Sequence, residues 1–539
     1  MRAGAVVLGS LLLVVGVPRA ARWVVEAREV RPPRFLTGEQ CMACHNQIFS
    51  GRGEDLSIGV AWRASIMANS SRDPYWQAAV RREIMDHPRA AEEIENECSR
   101  CHMPMSNVEE RVRGRLASVF AHLPVTEAET ELDRLAIDGV SCTLCHQITE
   151  ERLGTEESFS GGFVVDTLAM HGRIFGPFEV DGGRARIMRS ATTFEPTAAP
   201  HIQTSEHCAT CHVLYTHTLG PNDEVIGRLP EQTPYQEWLA SDFAGVRSCQ
   251  DCHMAATSDS AAITSVLGQP RPGVSRHWFV GGNFFMLRML NRYRDALGVE
   301  ALPAELEQAA LLTEDFLRTE TAVLTIERTA VAEGTLEIDL VVENLTGHKF
   351  PTAYPSRRAW LHVIVRDRRG GIIFESGAPR PDGSIVGNDN DDDPRRFERH
   401  HQVITSPEQV QVYESIMVTP EGVVTTGLLT GIRYVKDNRL LPRGFDKGGV
   451  PEDIAVQGWA ARDDDFRAGR DRVRYRVSVE GVEGPFEVDA LLWYQPISFR
   501  WANNLRAYDA FETNRFVTYF DSMADASAIV VARSVATIR

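Results

Sequence analysis

Residues 41–67 read CMACHNQIFSGRGEDLSIGVAWRASIM, with two cysteines three positions apart, a histidine directly after the second, and a methionine at the end. One CxxC pair suits a zinc half-site or a redox disulfide equally well. The rest of the chain decides the matter. CSRCH (98–102), CTLCH (142–146), CATCH (208–212) and CQDCH (249–253) repeat the pattern, so all ten cysteines fall into five CxxCH units. Two thiols at this spacing reach the two vinyl groups of one porphyrin, and the adjacent imidazole turns onto the iron. Zinc ribbons need no histidine after every pair, and disulfide scaffolds scatter their cysteines. The spacing therefore predicts five covalently attached c-type haems. Their thiols are Cys41 and Cys44, Cys98 and Cys101, Cys142 and Cys145, Cys208 and Cys211, and Cys249 and Cys252. The proximal iron ligands are His45, His102, His146, His212 and His253.

The N-terminus agrees with this chemistry, because c-type haem is attached outside the cytoplasm. Residues 2–21, RAGAVVLGSLLLVVGVPRAA, open on Arg2 and continue with an apolar run from Ala3 to Val17, then Pro18, Arg19 and small residues, which is the shape of a secretory signal. Pro18 and Arg19 make a poor cleavage site, so an uncleaved anchor through residues 3–17 is the alternative. The expected location is periplasmic or otherwise extracytoplasmic. No other segment approaches the about 20 apolar residues of a bilayer span. The net charge of −17 argues against nucleic acid and for redox partner proteins with basic docking surfaces.

The 539 residues correspond to roughly three to four domain lengths. After the N-terminal signal or anchor (1–25), residues 26–300 hold every haem motif among loops and short helical patterns such as DPYWQAAVRREIM (73–85). Met286, Leu287, Leu290 and Tyr293 recur at helical spacing after Asn283, and LPAELEQAALLTEDFLRTE (302–320) reads as a helical connector within residues 301–320. From 321 to 539 the pattern turns to alternation, as in TLEIDLVVEN and RAWLHVIVRD, with Gly, Asp and Asn turns between. This predicts an antiparallel, immunoglobulin-like β-sandwich without cysteine. The expected class is α+β: a mostly helical, loop-rich multihaem domain followed by a β-sandwich domain.

Distal iron ligands come from outside the motifs. Seven histidines of the haem half are free for the role: His87, His122, His171, His201, His207, His217 and His277. His277 in SRHWFVGGN is the strongest, with Gly281 and Gly282 for close backbone approach and Trp278 and Phe279 as an apolar wall. His87, His122 and His201 complete the histidine candidates. His348, in NLTGHKFPTAYP of the β-half, is a weaker one.

The segments CMACH, WRASIMANS, ECSRCHMPM, GVSCTLCHQ, SEHCATCH and RHWFVGGN, over roughly residues 38–290, resemble the multihaem cytochromes c grouped with the tetrahaem electron-acceptor cytochrome of ammonia oxidisers and, more distantly, hydroxylamine oxidoreductase. GHKFPTAYPSRRAW (347–360) is similar to a C-terminal module of other multihaem cytochromes. The resemblance implies a distal histidine in W-x-x-S-x-H-A after the first haem. Here Met67 occupies that position, and a thioether is a competent soft ligand that raises the potential relative to a second imidazole. The expected function is electron transfer through five haems. The alternative is an oxidoreductase acting on a small nitrogen or sulfur compound at one open haem. No lysine precedes Lys349, which argues against a lysine-ligated catalytic haem, and nothing marks Tyr75, Tyr215, Tyr235 or Tyr293 for a porphyrin crosslink.

Two further motifs read as ordinary surface. Asp389, Asp391 and Asp393 alternate as in a calcium loop but lack the glycine and glutamate of an EF-hand, so a solvated acidic turn is expected. His400 and His401 have no local ligand partner and are expected at the surface.

Overall fold

The computed structural model describes Met1, residues 34–166 and residues 172–539; the proposed signal or anchor, Met170 and His171 lie outside this range. Among the described residues no helix is long and apolar enough to cross a membrane. The architecture is α+β.

In the first half every CxxCH unit lies on or against a short helix: Gly38–Met42, Ala91–His102, Cys142–Cys145, Ser205–His212 and Cys249–His253. One helical turn brings positions three and four apart to a common face, which sets both thiols and the imidazole toward one side. Local capping builds these turns. Ser248 and Asp251 cap the last motif reciprocally, the Ser248 amide donating to Asp251 Oδ2 at 2.7 Å. Asp73 accepts from the amides of Tyr75 at 2.8 Å and Trp76 at 3.1 Å to start the Pro74–Asp86 helix, with Pro74 at its first position. The helix expected after Asn283 is Phe284–Arg292; it breaks at Tyr293 and resumes as Arg294–Leu297. The connector helix is Pro303–Glu320.

The second half contains two main sheets. One orders the strands Ala322–Ala332, Thr335–Asn344, Arg470–Ser478 and Val403–Ile404. The other orders Val412–Tyr413, Arg358–Arg366, Phe486–Gln495 and Ile529–Ile538, with Ile372–Ser376 also paired to Arg358–Arg366. Val473, Tyr475 and Val477 alternate inward along their strand, as half-buried strands require. The first hairpin turns through Glu333 (φ 49°) and Gly334 (φ 71°), the two positive φ values of a type I′ turn. Two features depart from a plain antiparallel sandwich. Val403–Ile404 runs parallel to Arg474 and Tyr475, and helices Phe499–Asn504 and Phe511–Asp521 follow the Phe486–Gln495 strand.

Those helices join the halves. Phe516 packs on Tyr75 with ring centroids 5.0 Å apart, and Arg81 forms a bidentate pair with Glu512 at 2.9 and 3.0 Å. One continuous apolar cluster runs from Ala64, Tyr75 and Phe284 through Leu306 and Leu317 to Leu340, Val363, Tyr475 and Phe516. The change near residue 320 is thus a change of secondary structure within a shared core.

The acidic turn at 389–393 is corrected. The Asp391 side chain is fully enclosed and receives Arg358 Nη1 at 2.8 and 2.9 Å, while Asp389 and Asp393 pair with Arg396 and Arg395. The carboxylates serve arginines, and Arg358, 1% exposed, also donates to Gln495 Oε1 and the Gly383 carbonyl. Removing one partner of such a pair leaves a buried charge uncompensated. Arg358→Ala is expected to cost about 3–5 kcal/mol in guanidinium unfolding; a loss below about 1 kcal/mol would place the pair among interactions of surface strength.

Candidate functional site

Four of the five motif histidines share one arrangement. Nδ1–H of His45 donates to the Ile263 carbonyl at 2.6 Å, of His102 to Ser70 at 3.0 Å, of His146 to Phe175 at 2.6 Å, and of His253 to Val280 at 2.6 Å. A carbonyl can only accept, so the proton sits on Nδ1 and the Nε2 lone pair is left for a metal. Desolvation lowers the pKa of His102 to about 4, which keeps its ring neutral, and lowers those of His45, His146 and His253 as well. Trp76 stacks on His102 with centroids 4.4 Å apart and planes 3° apart, fixing the ring's orientation.

The motifs adjoin one another through their thiols. Cys41 neighbours Cys142, Cys101 neighbours Cys211, and Cys208 neighbours Cys249, each pair close enough to shift the partner's ionisation. Cys145 and Cys211 pack against one apolar cluster. The attachment points therefore form one contiguous array, running from the first motif to the third and fourth, with the second and fifth beside the fourth. All ten cysteines are free thiols.

The distal candidates separate by their hydrogen bonds. His87 Nδ1 meets Asp223 at 3.0 Å and its Nε2 is buried without a partner; His122 Nδ1 meets Asp133 at 2.7 Å; His277 Nδ1 donates to the Ser275 carbonyl at 3.0 Å. Each repeats the arrangement of the motif histidines. Both His45 and His146 lie near enough to His277 to lower its pKa, after desolvation, to about 4. His201 is arranged the other way: its Nε2 donates to the Ile148 carbonyl at 2.9 Å, leaving only Nδ1. Beside it, with centroids 6.3 Å apart, stands His207, whose buried Nδ1 has no partner. His217 is half exposed and faces Glu97.

Met67 packs partly buried on the apolar cluster that includes Leu144 and Cys145. Its carbonyl accepts the Val140 amide at 3.0 Å, two residues before Cys142. Gly139 permits that approach, because at φ 64° an added Cβ would lie 2.8 Å from the Met67 carbonyl oxygen. Met67 thus sits by the third motif and is distant in sequence from it.

In the β-half, the expected exposure of His400 and His401 is corrected: each is 4% exposed. His400 Nδ1 accepts from Gln411 Nε2 at 2.7 Å and Asn438 Nδ2 at 3.1 Å, so its proton lies on Nε2, facing Asp463 Oδ2 at 3.1 Å. His401 bonds Glu398. The compact group His400, Asp463 and Asp471 is thereby a hydrogen-bonded cluster with both imidazole nitrogens engaged. The residue of this half that repeats the arrangement of the motif histidines is His348, whose Nδ1 donates to the Lys349 carbonyl at 2.8 Å.

The donor set fits covalent haem: paired free thiols on helical turns, neutral imidazoles with Nε2 available, and an orphaned buried Nε2 at His87. No family model matches the chain, and no curated protein matches it. Among solved structures it is similar to the crystal structure of a penta-heme cytochrome c552 from Thermochromatium tepidum, with TM-score 0.52 and 15% identity, over 94% of this chain and 100% of that one. The protein has a multihaem cytochrome c fold, and the likeness extends through the strand-rich half.

In the haem-loaded protein, Asp133→Asn removes the carboxylate charge behind His122 and makes that imidazole a weaker electron donor to the iron. The expected outcome is a raised midpoint potential at one haem in a spectroelectrochemical titration; an unchanged titration would remove His122 from the ligand set.

Proposed function

We propose that the protein is an extracytoplasmic electron carrier holding five c-type haems on its five CxxCH units. The observation that carries this reading is the contiguous array of motifs whose imidazoles are locked with Nε2 available. Bound haem supplies a one-electron iron couple. The chain's own residues orient the imidazoles through backbone carbonyls, hold them neutral by desolvation, and surround them with apolar side chains that exclude water. Distal positions fall to His87, His122 and His277 by their arrangement, with Met67 near the third motif as the thioether. The net charge of −17 suits transient contact with basic redox partners.

Residues that would serve catalysis in the alternative reading have other engagements. Lys349 pairs with Asp437 at 2.7 Å, Tyr215 donates to Asp453 at 2.8 Å, Tyr235 to Glu206 at 3.1 Å, and Tyr293 stacks on Tyr519. The test is near-infrared magnetic circular dichroism of the oxidised holoprotein, with its intact mass. Five added haems, all low-spin, with one His/Met component, are expected. A high-spin haem that binds nitrite or hydroxylamine would overturn the carrier reading in favour of an enzyme. Met67→His is expected to lower the potential of one haem, because imidazole replaces thioether; an unaltered titration would return Met67 to the apolar core.

A further inference from the structure

We infer that His348, carried by the strand-rich half, is the distal iron ligand of the haem attached at Cys249 and Cys252, opposite His253. The inference rests on the haem reading above and adds a ligand from outside the haem half.

Three observations converge on it. First, the rings of His253 and His348 are nearly parallel, with planes 12° apart and centroids 6.2 Å apart. With metal–imidazole bonds of about 2.0 Å, and roughly another ångström from each nitrogen to its ring centre, two trans imidazoles on one metal place their centroids about 6 Å apart. Second, both rings spend Nδ1–H on a backbone carbonyl, His253 on Val280 at 2.6 Å and His348 on Lys349 at 2.8 Å. Each therefore keeps the Nε2 lone pair, the atom that binds iron.

Third, the loop carrying His348 is fastened to the haem half by buried charge. Glu237, in the Pro234–Leu239 helix just before the fifth motif, is fully buried. It accepts the Lys349 amide at 3.1 Å, the Thr352 hydroxyl, and Arg439 Nη1 at 3.0 Å. Lys349 Nζ and Arg439 in turn share Asp437, at 2.7 and 2.8 Å. Asn344 Nδ2 donates to the His348 carbonyl at 2.8 Å. Gly347 lies so close to the haem half that an added Cβ would sit 3.2 Å from Phe243 and 3.4 Å from Trp238. A surface loop with a stray histidine needs none of this; a ligand that must hold its place within a fraction of an ångström does.

The test uses full-length holoprotein. In His348→Ala, five haems are retained by mass, one haem changes from low-spin to high-spin in magnetic circular dichroism, and added imidazole restores the low-spin signal. In His348→Met, which keeps a ligand and so guards against a loop that simply fails to fold, one bis-imidazole component becomes His/Met and its potential rises. An unchanged low-spin population in both variants, with haem content intact, overturns the assignment and leaves the carrier reading standing. A wild-type protein without covalent haem fails the underlying reading instead.

Discussion

An imidazole that must present Nε2 to a metal has to dispose of the proton on Nδ1, and the haem half is organised around that requirement. Four motif histidines give it to backbone carbonyls, and for His45 the acceptor, Ile263, lies 218 positions away. A backbone carbonyl cannot rotate as a side chain can, so the path of the chain itself sets each ring's direction. This explains why the segments between motifs return to the motifs: the chain after the fifth motif supplies Val280 to His253, and the chain after the third supplies Phe175 to His146. Carboxylates meet Nδ1 in the same way at His87 and His122.

Holding such an array costs side-chain core. Around the motifs the apolar clusters are small, such as Trp76, Val80, Ile94, Met103 and Val119 beside Cys98. The one large cluster is built mainly by the strands, the connector helix and Phe284–Leu290. The strand-rich half therefore contributes the bulk of the apolar burial that folds the whole chain, and Phe516 and Phe520 carry that burial onto the Pro74–Asp86 helix. Covering the motif array and stabilising it become one task, which gives a cysteine-free half a structural reason to be there.

What was legible in the sequence follows the range of the interactions. The CxxCH units are complete within five residues, and the change from helical spacing to alternation near 320 is a local pattern, so both read directly. Burial of His400 depends on Gln411, Asn438 and Asp463, none of them adjacent, and in RRFERHHQ the local composition points to the surface. Asp391 is likewise enclosed by Arg358 from a strand 33 positions earlier. Distal positions are harder still, because the helical pattern says nothing of which imidazole nitrogen is spent. His201 and His277 look alike as letters and differ only in whether Nε2 or Nδ1 meets a carbonyl. The helix Phe511–Asp521 carried aromatic residues that resemble strand content, and its packing partner lies over 400 positions away at Arg81.

The distribution of lysine shows where geometry overrides composition. Only three of the 57 basic residues are lysines, and each ammonium has a carboxylate or backbone carbonyl partner. Lys447 Nζ donates to the carbonyls of Ala460, Asp463 and Phe466 at 3.2, 2.6 and 2.9 Å, a convergent set that a planar guanidinium fork does not match. Lys436 pairs with Glu414 at 2.9 Å in a fully buried site. Lys349 points its ammonium to Asp437 while its own carbonyl accepts from His348. One residue thus ties the loop to a buried carboxylate through its side chain and meets the neighbouring ring through its carbonyl.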